Sequence, residues 1–165
     1  MRNYNDVVKE YKGGDFSISD SKITSLIGCP DYITGDFACS YNELYSLMGG
    51  PQKVDGYYRC VNNNLTDLTG CASHIGGMFA CYENDITSLV GIHKIIKSCK
   101  SIQFNDNNIK QGGIGLLLIE NLTKISSTAS EPFQIIKSYL GTGTKGMMEC
   151  SKELKANGWA EYAKL

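Results

Sequence analysis

The chain is poor in proline, with 3 in 165 residues, and holds a single tryptophan. So little proline excludes a polyproline or collagen-like rod and leaves backbone N–H groups free to form ladders. A surplus of either charge is also missing: 16 basic and 17 acidic residues leave a formal net charge of −1. An interface that neutralises many phosphates needs a basic surplus, so this balance argues against nucleic acid as a partner. Long apolar runs are absent too. Gly115 to Ile119 falls far short of the ~20 residues that span a bilayer, so no membrane partner is expected. The first six residues, Met1 to Asp6, contain no apolar h-region, which argues against a secretory signal and for a cytoplasmic protein. None of the 7 cysteines forms a C-x-x-C pair. With an odd count, that favours free thiols over a disulfide framework or a zinc site.

Catalytic signatures are thin. Gly141-Thr-Gly143-Thr-Lys-Gly146 reads G-x-G-x-x-G, but Met147 stands where a P-loop has lysine. A dinucleotide fingerprint needs a strand before the glycines and an acid about 20 residues beyond them. A helical pattern precedes this run instead, so it is read as a helix–helix turn. His74 and His93 pair by sequence with no nucleophile or carboxylate cluster. No catalytic residue, metal ligand or cofactor is therefore assigned, and the chain is read as a non-enzyme.

What is present is a repeat. Phe16, Phe37, Tyr58 and Phe79 stand 21 residues apart. Ile18, Cys39, Cys60 and Cys81 keep the same step, as do Ile23, Leu44, Leu65 and Ile86, and Leu26, Leu47, Leu68 and Leu89. Ile33, Val54, Ile75 and Ile96 form a further column. Two glycine columns run alongside, Gly28, Gly49, Gly70 and Gly91, and Gly14, Gly35, Gly56 and Gly77. Columns in lockstep imply a solenoid in which each unit is one coil and neighbours bury each other's apolar edge. Alternation along the strand puts Phe37 and Cys39 inward and Asp36, Ala38 and Ser40 outward. Ser21, Asn42, Asn63 and Asn84 follow the strand where the chain turns, and a buried amide there can serve backbone groups no ladder reaches.

The unit Phe37-x-Cys39-x-x-Asn42-x-Leu44 resembles the leucine-rich repeat, whose consensus is L-x-x-L-x-L-x-x-N/C-x-L. That resemblance implies an α/β repeat fold, a short leucine-rich-repeat solenoid with a parallel β-sheet. A coil of 21 residues leaves no room for a long convex helix, so loops and short 3₁₀ turns are expected there. Ile102, Phe104, Asn107 and Ile109 continue the pattern 23 residues after Phe79, Cys81, Asn84 and Ile86, with two residues inserted near Lys97 to Lys100. Five rungs at ~4.8 Å make a sheet roughly 20 Å wide.

Three segments follow from this: an N-terminal cap over 1–13, the solenoid over 14–110, and a helical C-terminal cap over 111–165. Tyr4, Val7, Val8 and Tyr11 make the first segment amphipathic. In the last, 114–125 is apolar with helical spacing. A second helix starts at Glu131-Pro132, and a third carries Met147, Met148, Cys150 and Leu154 and ends at Asn157-Gly158. Cys39, Cys60 and Cys81 fill a buried slot as small hydrophobes, and Cys29 and Cys71 share another column.

The outward register collects Tyr57, Arg59, Met78 and Tyr82, with Tyr41 at the rim. Tyrosine and arginine are enriched at protein hot spots and methionine makes adaptable contacts, so these five are the candidate partner-binding residues. The form Ser-Leu-x-Gly-x-Pro-x-x-Val-x-Gly-x-Phe-x-Cys-x-x-Asn-x-Leu, best seen at 46–65 with Tyr58 for Phe, resembles a short leucine-rich-repeat family of tailed bacteriophages. Phe133-Gln-Ile-Ile-Lys-Ser-Tyr139-Leu140 and Met148-Glu-Cys-Ser-Lys-Glu-Leu154 resemble its helical tail. The resemblance implies a phage accessory protein made in the host cytoplasm, and a role in binding and inhibiting a host antiviral defence protein. Two alternatives stand beside it: a sponge that captures a nucleotide signal at a homo-oligomer interface, and a structural component of the virion.

Overall fold

The computed structural model describes residues 10–127 and 130–165. The expected contribution of Tyr4, Val7 and Val8 to an N-terminal cap lies outside the described residues. Within them, the repeats form a parallel β-solenoid. Its main sheet stacks β1 (Phe16–Ser17), β3 (Phe37–Ala38), β5 (Tyr58–Arg59), β7 (Met78–Ala80), β9 (Ser101–Gln103) and β11 (Lys124–Ser126) in that order. The register pairs Phe16 with Phe37, Phe37 with Tyr58, Tyr58 with Phe79, Phe79 with Ile102 and Ile102 with Ile125. The columns read from the sequence are therefore contacts in space. Phe16, Phe37, Tyr58 and Phe79 form a ring column with centroids 6.1, 4.8 and 5.5 Å apart, the first pair stacked and the next two edge-to-face. Cys39, Cys60 and Cys81 are buried beside them, and all seven cysteines are free thiols.

The asparagines work as a ladder. Asn63 Nδ2 donates to the Cys39 carbonyl one rung back at 3.1 Å and to the Cys60 carbonyl of its own rung at 3.2 Å. Its Oδ1 accepts from the Leu44 N–H at 3.1 Å. Asn42, Asn84 and Asn107 repeat the arrangement. Each side chain thus satisfies backbone groups that turn away from the sheet, which keeps the bend dry and fixes the spacing of adjacent coils.

The glycines serve two purposes. Gly49 holds φ 82°, and a Cβ there would stand 2.8 Å from the Ile27 Cα of the coil before. Gly56 has no positive φ, but a Cβ on it would meet Asp36 Oδ1 at 2.2 Å. The first column turns the chain; the second lets adjacent backbones close up, with Gly56 N donating to Gly35 O at 2.9 Å.

The structure departs from the sequence expectations in several places. Ile33, Val54 and Ile75 belong to a second parallel sheet of β2 (Tyr32–Ile33), β4 (Lys53–Val54) and β6 (His74–Ile75), on the next side of the coil. A third, two-stranded sheet pairs β8 (Ser88–Leu89) with β10 (Gln111–Gly112). Two-residue strands show no alternation long enough to read. Ile96 does not continue the Ile75 column: Ser98 bridges His74, so Cys99 follows Ile75. The extra residues are taken up before Ser98, around the short helix α1 (Ile92–Ile95).

Five rungs become six, and the expected helix over 114–125 is absent. Residues Ile114–Leu118 form a 3₁₀ turn, and Lys124–Ser126 is the sixth strand. Leu116, Leu117, Ile119, Leu122 and Ile125 are all buried. Their spacing imitates a helix, but Gly113 at φ 112° turns the chain before this stretch and Asn121 at φ 63° turns it again before Leu122, so the same residues point inward from a coil.

The cap proper is α2 (Glu131–Ser138) and α3 (Gly143–Ala156), followed by a 3₁₀ turn at Ala160–Ala163. Pro132 sits in the first turn of α2, and Gly158 at φ 82° lies just past α3, as expected. Gly141 and Gly143 make the turn between the helices. Phe133 lies 4.9 Å from Phe104 and 5.6 Å from Tyr162, centroid to centroid, and the Tyr162 hydroxyl donates to the Ile109 carbonyl at 2.8 Å. The far end is closed by Tyr11, whose ring stands 5.3 Å from Phe16 and whose hydroxyl donates to Gly14 O at 3.1 Å. Among the described residues, no helix is long and apolar enough to cross a membrane.

Candidate binding face

The outward side of the main sheet is built column by column. Ser17, Ala38, Arg59, Ala80, Gln103 and Ser126 run across its middle, one per rung. Arg59 therefore stands between two alanines. The face is less uniformly open than alternation implies. Ser40, Val61 and Ala80 are buried, at 7, 3 and 1% exposure. Small side chains on rungs ~4.8 Å apart sit in the shade of larger neighbours, and the Ser40 hydroxyl is further used as acceptor for the Val61 N–H at 3.1 Å.

All five candidate residues are accessible. Tyr41 and Tyr57 are 52 and 43% exposed, and Arg59, Met78 and Tyr82 are half-buried. Tyr57 and Arg59 share one rung, Met78 and Tyr82 the next, and Tyr41 lies at the rim beside them. Arg59 is held in place: Nη1 donates to Asp36 Oδ2 at 3.0 Å, and the guanidinium lies 4.8 Å from the Tyr57 ring centroid. Asp36 in turn accepts the Tyr57 N–H on Oδ1 at 2.8 Å, and Asp15 accepts the Asp36 N–H at 2.7 Å. Asp36 thus braces both members of the Tyr57–Arg59 pair from the rung before. The pair is a third exposed, so the ion pair contributes under ~1 kcal/mol; its effect is to orient the guanidinium.

Beyond Tyr82 the face continues into a polar recess of about 290 Å³ lined by Glu83, Gln103, Asn105, Asp106 and Ser126. Ser126 was hidden from sequence reasoning because the sixth rung reads as helix. The repeat of 23 residues from Ser101-Ile102-Gln103 to Lys124-Ile125-Ser126 is the signal that marks it. A second missed cluster lies on the small sheet. The Tyr32 hydroxyl donates to Asp55 Oδ2, Lys53 pairs with Asp55 at 3.2 Å, and the Lys53 ammonium stands 4.5 Å from the Tyr32 ring. The tyrosine hydroxyl's hydrogen bond, followed by Lys53, holds the Asp55 carboxyl below its usual range.

The two histidines behave differently from each other. His74 Nδ1 lies 2.9 Å from the Ser73 hydroxyl, a contact the sequence did not anticipate. That hydroxyl also leans on the Gln52 carbonyl at 3.4 Å, and among the described residues no carboxylate is hydrogen-bonded to the ring. The orienting group that an activated serine needs is not part of this arrangement. His93 Nδ1 is buried without a partner, and burial, with Lys94 and Lys97 nearby, pushes the imidazole pKa down. No group of three or more His, Cys, Asp or Glu among the described residues is placed to hold a metal ion. The buried thiols Cys39, Cys60, Cys71 and Cys81 are pushed well above their ordinary values, chiefly by burial, which makes them poor nucleophiles. The geometry suits recognition: a rigid, ladder-bonded face carrying aromatic and guanidinium groups beside an amide-lined recess. No protein-family model, curated protein or solved structure matches this chain.

Proposed function

We propose that this chain is a non-enzymatic protein-binding module that docks a partner on the main-sheet face through Tyr41, Tyr57, Arg59, Met78 and Tyr82. One observation carries the reading. Asp36 and Tyr57 fix the Arg59 guanidinium on a column where its neighbours are Ala38 and Ala80, which presents a preorganised arginine and aromatic anchor on the sheet. Anchors whose rotamers are fixed before binding lose little entropy on docking. The resemblance of the repeat unit at 46–65 to short phage leucine-rich repeats supports the biological setting: a phage accessory protein in the host cytoplasm that binds and inhibits an antiviral defence protein.

A second reading is supported by the recess beside Tyr82 and by the Arg59–Tyr57 stack. Tyrosine rings stack bases and a guanidinium pairs phosphate, which suits capture of a nucleotide signal. Affinity capture from infected host lysate, followed by native mass spectrometry, separates the readings. A stoichiometric host protein, lost with Arg59→Glu while the melting temperature holds, is the expected result. A bound small-molecule mass with no protein favours the sponge. Recovery of the chain from purified virions favours a structural role, and capture unchanged by Arg59→Glu moves the site off this face.

A further inference from the structure

A second surface lies on the cap. A groove of about 300 Å³ runs between α3, the 3₁₀ turn at Ile114 and the last residues of the chain. Its walls are apolar, from Ile114, Met147, Met148 and Leu165, and Lys152 and Lys155 stand along one margin. Met148 and Leu165 are 60 and 47% exposed, whereas Cys150 and Leu154 of α3 are fully buried and Met147 is half-buried. Lys145, Met148, Lys152 and Lys155 follow at three- and four-residue steps and share one face. Glu149 stands four residues from Lys145 and three from Lys152, beside them on the helix surface, and Glu153 accepts the Tyr139 hydroxyl at 2.7 Å. Glu161 is paired with Lys164 at 2.6 Å, and among the described residues neither Lys152 nor Lys155 is in a salt bridge.

We infer that this groove docks an amphipathic helix of a partner protein whose apolar stripe is flanked by aspartate and glutamate. The α3 wall of the groove, from Met147 to Lys155, covers about 12 Å of helix, enough to meet apolar anchors at i, i+3 or i+4, and i+7. Methionine walls adapt to the anchors, and the unpaired lysines meet the acidic flank. The groove shares no residue with the sheet face, so it stands or falls separately from that reading.

The test is a selection of randomised peptides on the intact protein, with counter-selection on Met148→Glu and on the double variant Lys152→Glu/Lys155→Glu. All three positions are exposed, and unchanged melting temperatures confirm that the variants fold. Enriched peptides are expected to carry Leu, Ile or Phe at helical spacing beside Asp or Glu. Each should bind at least about tenfold more weakly to Met148→Glu. The double variant should select basic flanks in their place. Enrichment without acidic bias, equal binding to the variants, or no enrichment at all overturns the inference. So does saturable binding of dodecanoate at the groove when no peptide is enriched, which assigns it to a small amphiphile. Arg59→Glu should leave the selected peptides bound, which keeps a failure here distinct from a failure of the sheet-face site.

Discussion

Asp20, Tyr41, Asn62, Glu83 and Asp106 occupy equivalent positions just after the strands of successive rungs, and all hold φ between 53 and 56°. Aspartate and asparagine tolerate this left-handed region, whereas tyrosine and glutamate are strained there by ~1 kcal/mol. Tyr41→Asn is expected to raise the unfolding free energy by about 1 kcal/mol in urea titrations, while weakening partner capture. A loss of stability would show that the Tyr41 ring contributes packing. The Tyr58 hydroxyl is buried without a partner. Tyr58→Phe should therefore stabilise the fold by about 1 kcal/mol, and a destabilised variant would show that the hydroxyl is satisfied. Asn63→Ala orphans the Leu44 N–H and removes the donor to three carbonyls; the expected cost is about 3 kcal/mol, read from the same titrations. The asparagine column was legible because one residue type does that work in each rung. The left-handed column was not, because five positions carry four residue types and share only a backbone angle.

The helical cap packs on the end of the solenoid. Phe133 bridges Phe104 of the solenoid to Tyr162 of the final turn. Phe133→Ala should cost about 3 kcal/mol or more. In a solenoid the loss should stay near the end. Hydrogen exchange is expected to show β11, α2 and α3 losing protection well before β3, β5 and β7; uniform loss would mean the molecule unfolds as a single unit. The helices α2 and α3 were readable from Pro132, Asn157 and Gly158 and from the spacing of Phe133, Ile136, Cys150 and Leu154. The strand at Lys124–Ser126 was masked, since Leu116, Leu117, Ile119, Leu122 and Ile125 satisfy a helical template as well as an inward-pointing coil. Local apolar spacing carries no information about which of two neighbours will bury it.

Taken as one body, the solenoid buries its thiols so deeply that its stability depends on pH. Burial raises Cys39, Cys60, Cys71 and Cys81, and pushes Cys99 and Cys150 up to about 11. In the unfolded chain a thiol titrates near ~8.5. Above that value the unfolded state releases protons that the folded state keeps, so stability is fully present below about pH 8.5 and falls as pH rises toward the folded values. Thermal melts in reducing buffer should be level through neutral pH and drop steeply above about pH 8.5. A melting temperature unchanged at about pH 10 would contradict the burial. Ellman's reagent should label none of the seven thiols without denaturant.

The 21-residue columns announced the solenoid, its asparagine ladder and its thiol core before any coordinate, because in a stacked coil each residue's chief neighbour is its own counterpart one repeat away. Column identity is then contact identity, and Phe37 needs no partner that the pattern does not name. The candidate face was half legible on the same grounds: Tyr57, Arg59, Met78 and Tyr82 follow from alternation alone. That Asp36 orients Arg59, that Ala80 is shaded, and that Ser126 floors a recess depended on which side chains meet across rungs. The cap groove depended on folding the last helix back beside Ile114. Such contacts join residues with unrelated roles at irregular separations, and no period in the chain records them.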